Sequence, residues 1–372
     1  MAFVRRLRPW VHSYVCGAAV VVAVATVAAC GDNKGSANDA CVTNCSIDAP
    51  TDAPIDGLSI DAPPDANLLM PSTLAETGLC ANPACTQINS GILAYTPRWQ
   101  LFSDNATKKR WIYLPPGSQI DSTEMNYWRF PVGTKLWKEF TRDGIRVETR
   151  LMMKVGPADS NWFYMSYGWN AAQDATVARP SGEQNANGTQ HDIPGRGACR
   201  QCHERTSGRA LGFSALELDV PAAANEISLS YLLASNLLTV APTGVGTPKF
   251  PLPGTAREQD ALGYLHANCG HCHNPRSDII DARPIQLLLQ TDRLATLADT
   301  PAYSTAVNVD GGAIGNVTKL ITPGDTTGTA STLMLRFNTL SGGIRMPLLG
   351  TETIDQPAVA LLLTWIASIP PL

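Results

Sequence analysis

Residues 146–155 read RVETRLMMKV. Successive side chains of a strand point to opposite sides. Val147, Thr149, Leu151, Met153 and Val155 therefore share one face, and Arg146, Glu148, Arg150, Met152 and Lys154 the other. This alternation is the signature of a half-buried strand. Upstream, LPPGS at 114–118 and PVGT at 131–134 supply turns. Of the 8 tryptophans, all but Trp10 and Trp365 lie between Trp99 and Trp169. The aromatic residues are most simply a core, since such side chains mostly serve packing, with a ligand groove as the alternative. The reading is a β-rich, sandwich-like domain over residues 72–185.

Further on the patterning turns helical. ISLSYLLASNLL at 227–238 reads as a helix, and a Pro/Gly/Thr loop follows at 241–254. The last unit, 255–372, opens with a helix, REQDALGYLHANCGHCH, and closes with DQPAVALLLTWIASI. In the closing helix Asp355 is a candidate N-cap, and Val359, Leu362, Leu363 and Ile366 form one apolar stripe. The fold class is thus multidomain α+β. The β-rich domain is followed by mainly α-helical segments at 186–254 and 255–372.

Each helical segment carries a Cys-x-x-Cys-His unit: ACRQCHER at 198–205 and NCGHCHNP at 268–275. Three chemistries compete for Cys199, Cys202 and His203, and for Cys269, Cys272 and His273. A four-cysteine zinc ribbon separates its pairs by about 15–20 residues. The interval from Cys202 to Cys269 is several times longer, and zinc would not require a histidine directly after each pair. A thioredoxin-like dithiol needs a βαβ context, which neither unit shows. Covalent haem uses every residue. On a helix, positions i, i+3 and i+4 share a face, so two thiols reach the haem vinyl groups while the histidine faces the iron. Two haem c groups are expected, with His203 and His273 as proximal ligands.

For the second haem, Met346-Pro347 stands in a Gly-rich loop before the closing helix. A Met/His pair is an electron-transfer ligation that raises the potential. Met346 is therefore the expected distal ligand. Met334 in STLMLRF is the fallback, although it reads as a buried helical position. The first haem has no evident partner: no methionine occurs between His203 and Met334, and no histidine between His203 and His266. Met152, Met165, His191, His266, water or an open position are the alternatives, although His266 and His271, on or beside the second haem helix, suit a solvent or propionate contact better.

Arg5, Arg6 and Arg8, an apolar run from Val15 to Ala29 and the sequence VAAC ending at Cys30 form an export signal over 1–29. Small residues before a cysteine resemble a bacterial lipobox, which implies lipidation of Cys30 and membrane attachment by that anchor only. Gly31 follows Cys30, which favours the outer membrane and a site facing the periplasm or cell surface. Residues 30–71 are Asp/Ala/Pro-rich and carry too few bulky apolar groups to offset chain entropy, so they read as a tether. Cys41 with Cys45, and Cys80 with Cys85, are candidate short-loop disulfides. The formal charge of −4 becomes more negative without the leader arginines, and nothing suggests a nucleic-acid partner.

LFSDNATKKRWIYLPPG (101–117), WRFPVGTKLWKEF (128–140), RVETRLMMK, YGWNAAQDA (167–175), IPGRGACRQCH (193–203), LGFSALELD (211–219), YLHANCGHCHNP (264–275) and RMPLLG (345–350) together resemble an uncharacterised family of exported bacterial dihaem c-type cytochromes. The C-terminal part separately resembles class I cytochrome c. The resemblance covers most of the chain after residue 72. It implies two haems and a β-rich front half without an established substrate. One departure is SDNATKK, where a glycine is expected near Asn105. Two functions follow as expectations: an electron carrier serving redox partner proteins, or a haem-dependent oxidoreductase (peroxidase or small-molecule dehydrogenase) with the first haem as active site. A β-domain that docks a partner dehydrogenase is a third.

Overall fold

The structure, a computed structural model, describes residues 70–371 except Val245. The export signal, Cys30, nearly all of the tether, and Cys41 and Cys45 lie outside the described residues. Strands β1 (Leu93–Tyr95), β2 (Thr107–Tyr113), β3 (Lys135–Arg142), β4 (Ile145–Lys154), β5 (Trp162–Trp169), β6 (Thr176–Ala178) and β7 (Glu226–Ile227) form one sheet in the order β6-β5-β4-β3-β2-β1-β7. All neighbours are antiparallel except β1 and β7, which run parallel. Strands β8 (Asp310–Ile314) and β9 (Val317–Lys319) make a separate hairpin. The helices are α1 (Arg196–His203), α2 (Ala215–Leu218), α3 (Leu229–Ala234), α4 (Ala256–Asn268), α5 (Pro301–Ala306), α6 (Thr332–Phe337) and α7 (Gln356–Ser368).

A β-rich architecture forms, but not the expected sandwich. Trp111, Trp137, Leu151, Met165, Tyr167 and Trp169 on the outer face of the sheet pack with Leu74, Leu79 and Cys80 from the segment before β1. Cys80 and Cys85 in that segment are disulfide-bonded. Ile112, Leu136, Met152 and Tyr164 on the inner face share a core with Phe213, Leu262, Leu265 and Trp365 from the motif-bearing part of the chain. Helices and loops thus provide the second layer. Alternation reports that a strand has two faces but not what covers each. Here both are covered: Glu148 is 0% exposed and Lys154 3%. Each large side chain withdrawn from water contributes about 1.5–3 kcal/mol, so Trp137 and Trp365, both fully buried, anchor the two sides.

The alternation also breaks at one point. Phe140 pairs with Glu148 but Thr141 with Arg146, leaving Val147 as the extra residue of a bulge. Val147 turns into a small cluster with Phe140 and Ile193. Arg146 crosses to the outer face, its guanidinium 3.5 Å from the Trp169 ring centroid. The expectation that Arg146 shares a face with Glu148 and Arg150 is therefore corrected, because one added residue inverts side-chain parity.

The expected helix over 227–238 is shorter. Glu226–Ile227 instead pairs with β1, and Ser228 caps α3 by accepting from the Tyr231 amide. Asn236, at φ 50°, lies in the left-handed turn after it. The two ends of the last unit follow the sequence more closely. Thr255 and Glu258 form a capping box at α4, and the Asp355 carboxylate accepts from the Ala358 amide at 3.1 Å to start α7. Residues 269–300, expected to be mainly helical, carry turns without a helix. In the SDN turn, Asp104 and Asn105 take φ 46° and 61°, so these two residues supply the left-handed backbone for which a glycine was expected. Asp104 Oδ1 then accepts from the Glu352 and Thr353 amides, fastening the approach to α7.

Candidate cofactor site

The first motif lies on α1, whose turn brings Cys199, Cys202 and His203 to one side. The His203 ring rests against Tyr164, with centroids 5.3 Å apart. Its Nδ1 is 2.6 Å from the Arg209 carbonyl oxygen, so the ring donates there and keeps the Nε2 lone pair free. Burial lowers its pKa to about 3, which keeps the ring neutral. Both thiols are free, and burial raises that of Cys202 to about 11.

The second motif does not continue α4 as expected. Cys269 is the C-cap, after which a separate turn forms: the Cys272 and His273 amides both donate to the Cys269 carbonyl, at 3.1 and 2.9 Å. The i, i+3, i+4 spacing is kept without a helix. Gly270 makes that turn possible, since a Cβ there would lie 2.6 Å from the His266 carbonyl oxygen and 2.8 Å from Leu288 Cα.

The fold brings the two motifs together. Asn274 donates to the Arg205 carbonyl at 2.9 Å, Arg205 pairs with Asp278 at 2.8 Å, and Arg276 reaches Ser207 at 3.3 Å. Cys272 is close enough to raise the Cys202 pKa, and His271 to lower that of His203. On the sheet side of α1, a cavity is bordered by Cys199, His203, Lys138, Arg150, Met152 and Tyr164. Arg150 Nε and Tyr164 Oη are buried there without a hydrogen-bond partner among the described residues. Free thiols, a histidine with Nε2 available and an incompletely satisfied cavity fit a covalently attached haem. Among the described residues no three His, Cys, Asp or Glu side chains group as a metal site.

The residues considered for the far side of the first iron separate in part. Met165 packs in the outer-face cluster, and it also borders the cavity beside His203. His191 Nε2 is 2.7 Å from Glu148 Oε1. His266 Nδ1 accepts from the Leu289 amide at 3.0 Å and its Nε2 faces Glu217 at 3.8 Å, leaving no lone pair directed at a metal. Met152 and Met165 thus both border the cavity beside His203, and of the two Met152 shares the inner-face core with Tyr164. At the second motif, the Met346 amide donates to the Arg336 carbonyl at 2.9 Å. Met334 is 2% exposed and packs in the core.

Sequence reasoning missed Glu217 altogether. It is 3% exposed, accepts from the Trp99 amide at 3.1 Å and borders a second cavity with His266, His271 and Trp128. Burial pushes its pKa up to about 7, against the opposing influence of the Trp99 amide, Arg110, Arg98 and Lys138. A carboxyl whose folded pKa is raised binds more protons when folded, so its contribution to stability falls as pH rises from about 4.5 to about 7. Glu217→Gln should remove this component, and denaturant midpoints of both proteins at pH 5 and 8 should diverge accordingly. An equal pH dependence in the two would contradict it.

No family model, curated protein or solved structure matches the chain. Among the described residues no helix is long and apolar enough to cross a membrane.

Proposed function

We propose that the protein is a dihaem c-type cytochrome that carries single electrons in the bacterial envelope, anchored there by lipid on Cys30. The observation that carries this reading is His203, fixed through Nδ1 with Nε2 free, beside two free thiols and a cavity. Cys199 and Cys202 hold one ring, Cys269 and Cys272 the other. His203 and His273 ligate the irons, and Met346 completes the second site. A haem so held supplies a one-electron iron couple whose potential follows from its ligands, burial and surrounding charge. The chain's own contribution is to fix the His203 tautomer, close the first site with the sheet, and join the two motifs through Asn274, Arg205 and Arg276. That junction favours passage of electrons between two sites and on to a redox partner protein.

The cavity beside His203 supports a second reading, an oxidoreductase acting there on peroxide or a small oxidisable molecule. Rapid cyanide or carbon monoxide binding at the first haem, with turnover, would favour it. Low-spin spectra at both haems would favour the carrier. The primary test is composition. Pyridine haemochrome analysis should give two thioether-linked haems per chain, and intact mass should place acyl groups on a chain beginning at Cys30. Zinc in place of haem would overturn the proposal.

A further inference from the structure

The inner face of the sheet carries a row of cations. Arg110 on β2 pairs in register with Lys138 on β3, and Lys138 with Arg150 on β4. Residues directly opposite each other on neighbouring strands share a face at close range, and like charges so placed are destabilising. Arg110 is 4% exposed; its Nη2 donates to Gln100 at 2.8 Å, and its Nε has no hydrogen-bond partner. Lys138 Nζ has no hydrogen-bond or ion-pair partner among the described residues, while Arg150 pairs with Glu148 at 2.5 Å.

The Glu148 carboxylate, which also contacts His191 at 2.7 Å, balances Arg150 alone and makes no contact with Arg110 or Lys138 among the described residues. Glu217 reaches Arg110 and Lys138 only electrostatically, while accepting from the Trp99 amide. Lys108, on the same side, adds a further positive charge near Lys138. Arg110 is buried, whereas Lys138 is half-buried and the Arg150 side chain is 32% exposed. Positive charges crowded on a partly desolvated wall are costly, and an anion held against them would offset that cost. Lys138 and Arg150 border the cavity together with Cys199 and His203, and Cys202 is near enough to act on both cations.

We infer that the row Arg110–Lys138–Arg150 is an anion site that takes the carboxylate side chains of the haem attached at Cys199 and Cys202. This rests on the proposed function and gives the β-rich half its role as the charged wall of the first haem site. Arginine suits it through its fixed fork of donors and lysine as a compact charge, both strengthened by the carboxylate they meet.

The test is an equilibrium redox titration of the full-length holoprotein, read spectroscopically at both haems. Removing a positive charge beside a haem favours the ferric state. Lys138→Met should therefore shift one redox component about tenfold towards oxidised, or ~59 mV for one electron. Arg110→Gln should act in the same direction, and is read in its place if Lys138→Met impairs loading. The other component, identified as the one moved by Met346→Ala, should stay in place. Lys109→Met is the control: it removes one positive charge from β2, the strand of Arg110, but its side chain is 74% exposed and outside the row. Adding phosphate to the wild-type protein should leave both potentials unchanged.

Shifts below about twofold in both row variants, with two haems still bound, would overturn the assignment. So would a wild-type potential that follows phosphate concentration, because the row would then hold an exchangeable inorganic anion. Absence of haem from the wild-type chain is the separate failure of the functional proposal itself.

Discussion

Replacing Cys199 and Cys202 together by alanine should reduce covalently bound haem from two per chain to one. On the proposed function each attachment uses its own pair of thiols, and the second pair lies on a turn built from local hydrogen bonds of Cys269, Cys272 and His273. The remaining haem should keep its Met346 ligation and its potential. Pyridine haemochrome analysis with intact mass checks the result. Retention of two covalent haems in the double variant would show that the first motif is not an attachment site. Loss of both would mean that the two motifs do not mature independently. The contacts between the segments after the motifs, through Asn274, Arg205 and Arg276, make that outcome informative about coupling.

Met346→Ala should lower the potential of the second haem and abolish its near-infrared sulfur-to-iron band, with haem content unchanged. A thioether opposite histidine raises the potential, and its removal withdraws that effect. The loop itself should survive the substitution. Its fastening uses backbone groups, the Met346 amide on the Arg336 carbonyl, and the Arg336 guanidinium on the Ile344 carbonyl at 3.3 Å. Potentiometry and near-infrared absorption of the variant decide the matter. An unchanged band would remove Met346 from the ligand set and bring the fallback, Met334, back into consideration. Met334 would first have to leave the core position in which it is 2% exposed.

What was legible before the structure depended on the range of the interaction that carries it. The Asp355 cap of α7 and the turn of α1 that gathers Cys199, Cys202 and His203 depend on residues within one helical turn, and both formed as read. The strand at 146–155 was legible in the same way, from its alternation, up to Val147. The bulge there depends on which residue of β3 faces which residue of β4, and no periodicity within β4 contains that information. Among the ligand candidates, His191 and His266 were possible donors because each lies near a motif. Glu148 and Leu289, both distant in sequence from the histidine they contact, occupy ring nitrogens of the two.

The sequence by itself determined the two Cys-x-x-Cys-His units, the β-rich front half, the capped closing helix and the loop that presents Met346. Each is encoded by residues a few positions apart, whose geometry follows from helix turn or strand alternation. Only the tertiary structure decided that one sheet is covered by the motif-bearing segments instead of by a second sheet. The same packing sets the two motifs side by side, and it lines up Arg110, Lys138 and Arg150 on three strands, the last two bordering the cavity beside α1. In the sequence Arg150 is one charge on the polar face of a single strand, and nothing joins it to Arg110 or Lys138. Register and layer packing turn the three into one partly buried positive row, because both are fixed by contacts between segments far apart along the chain.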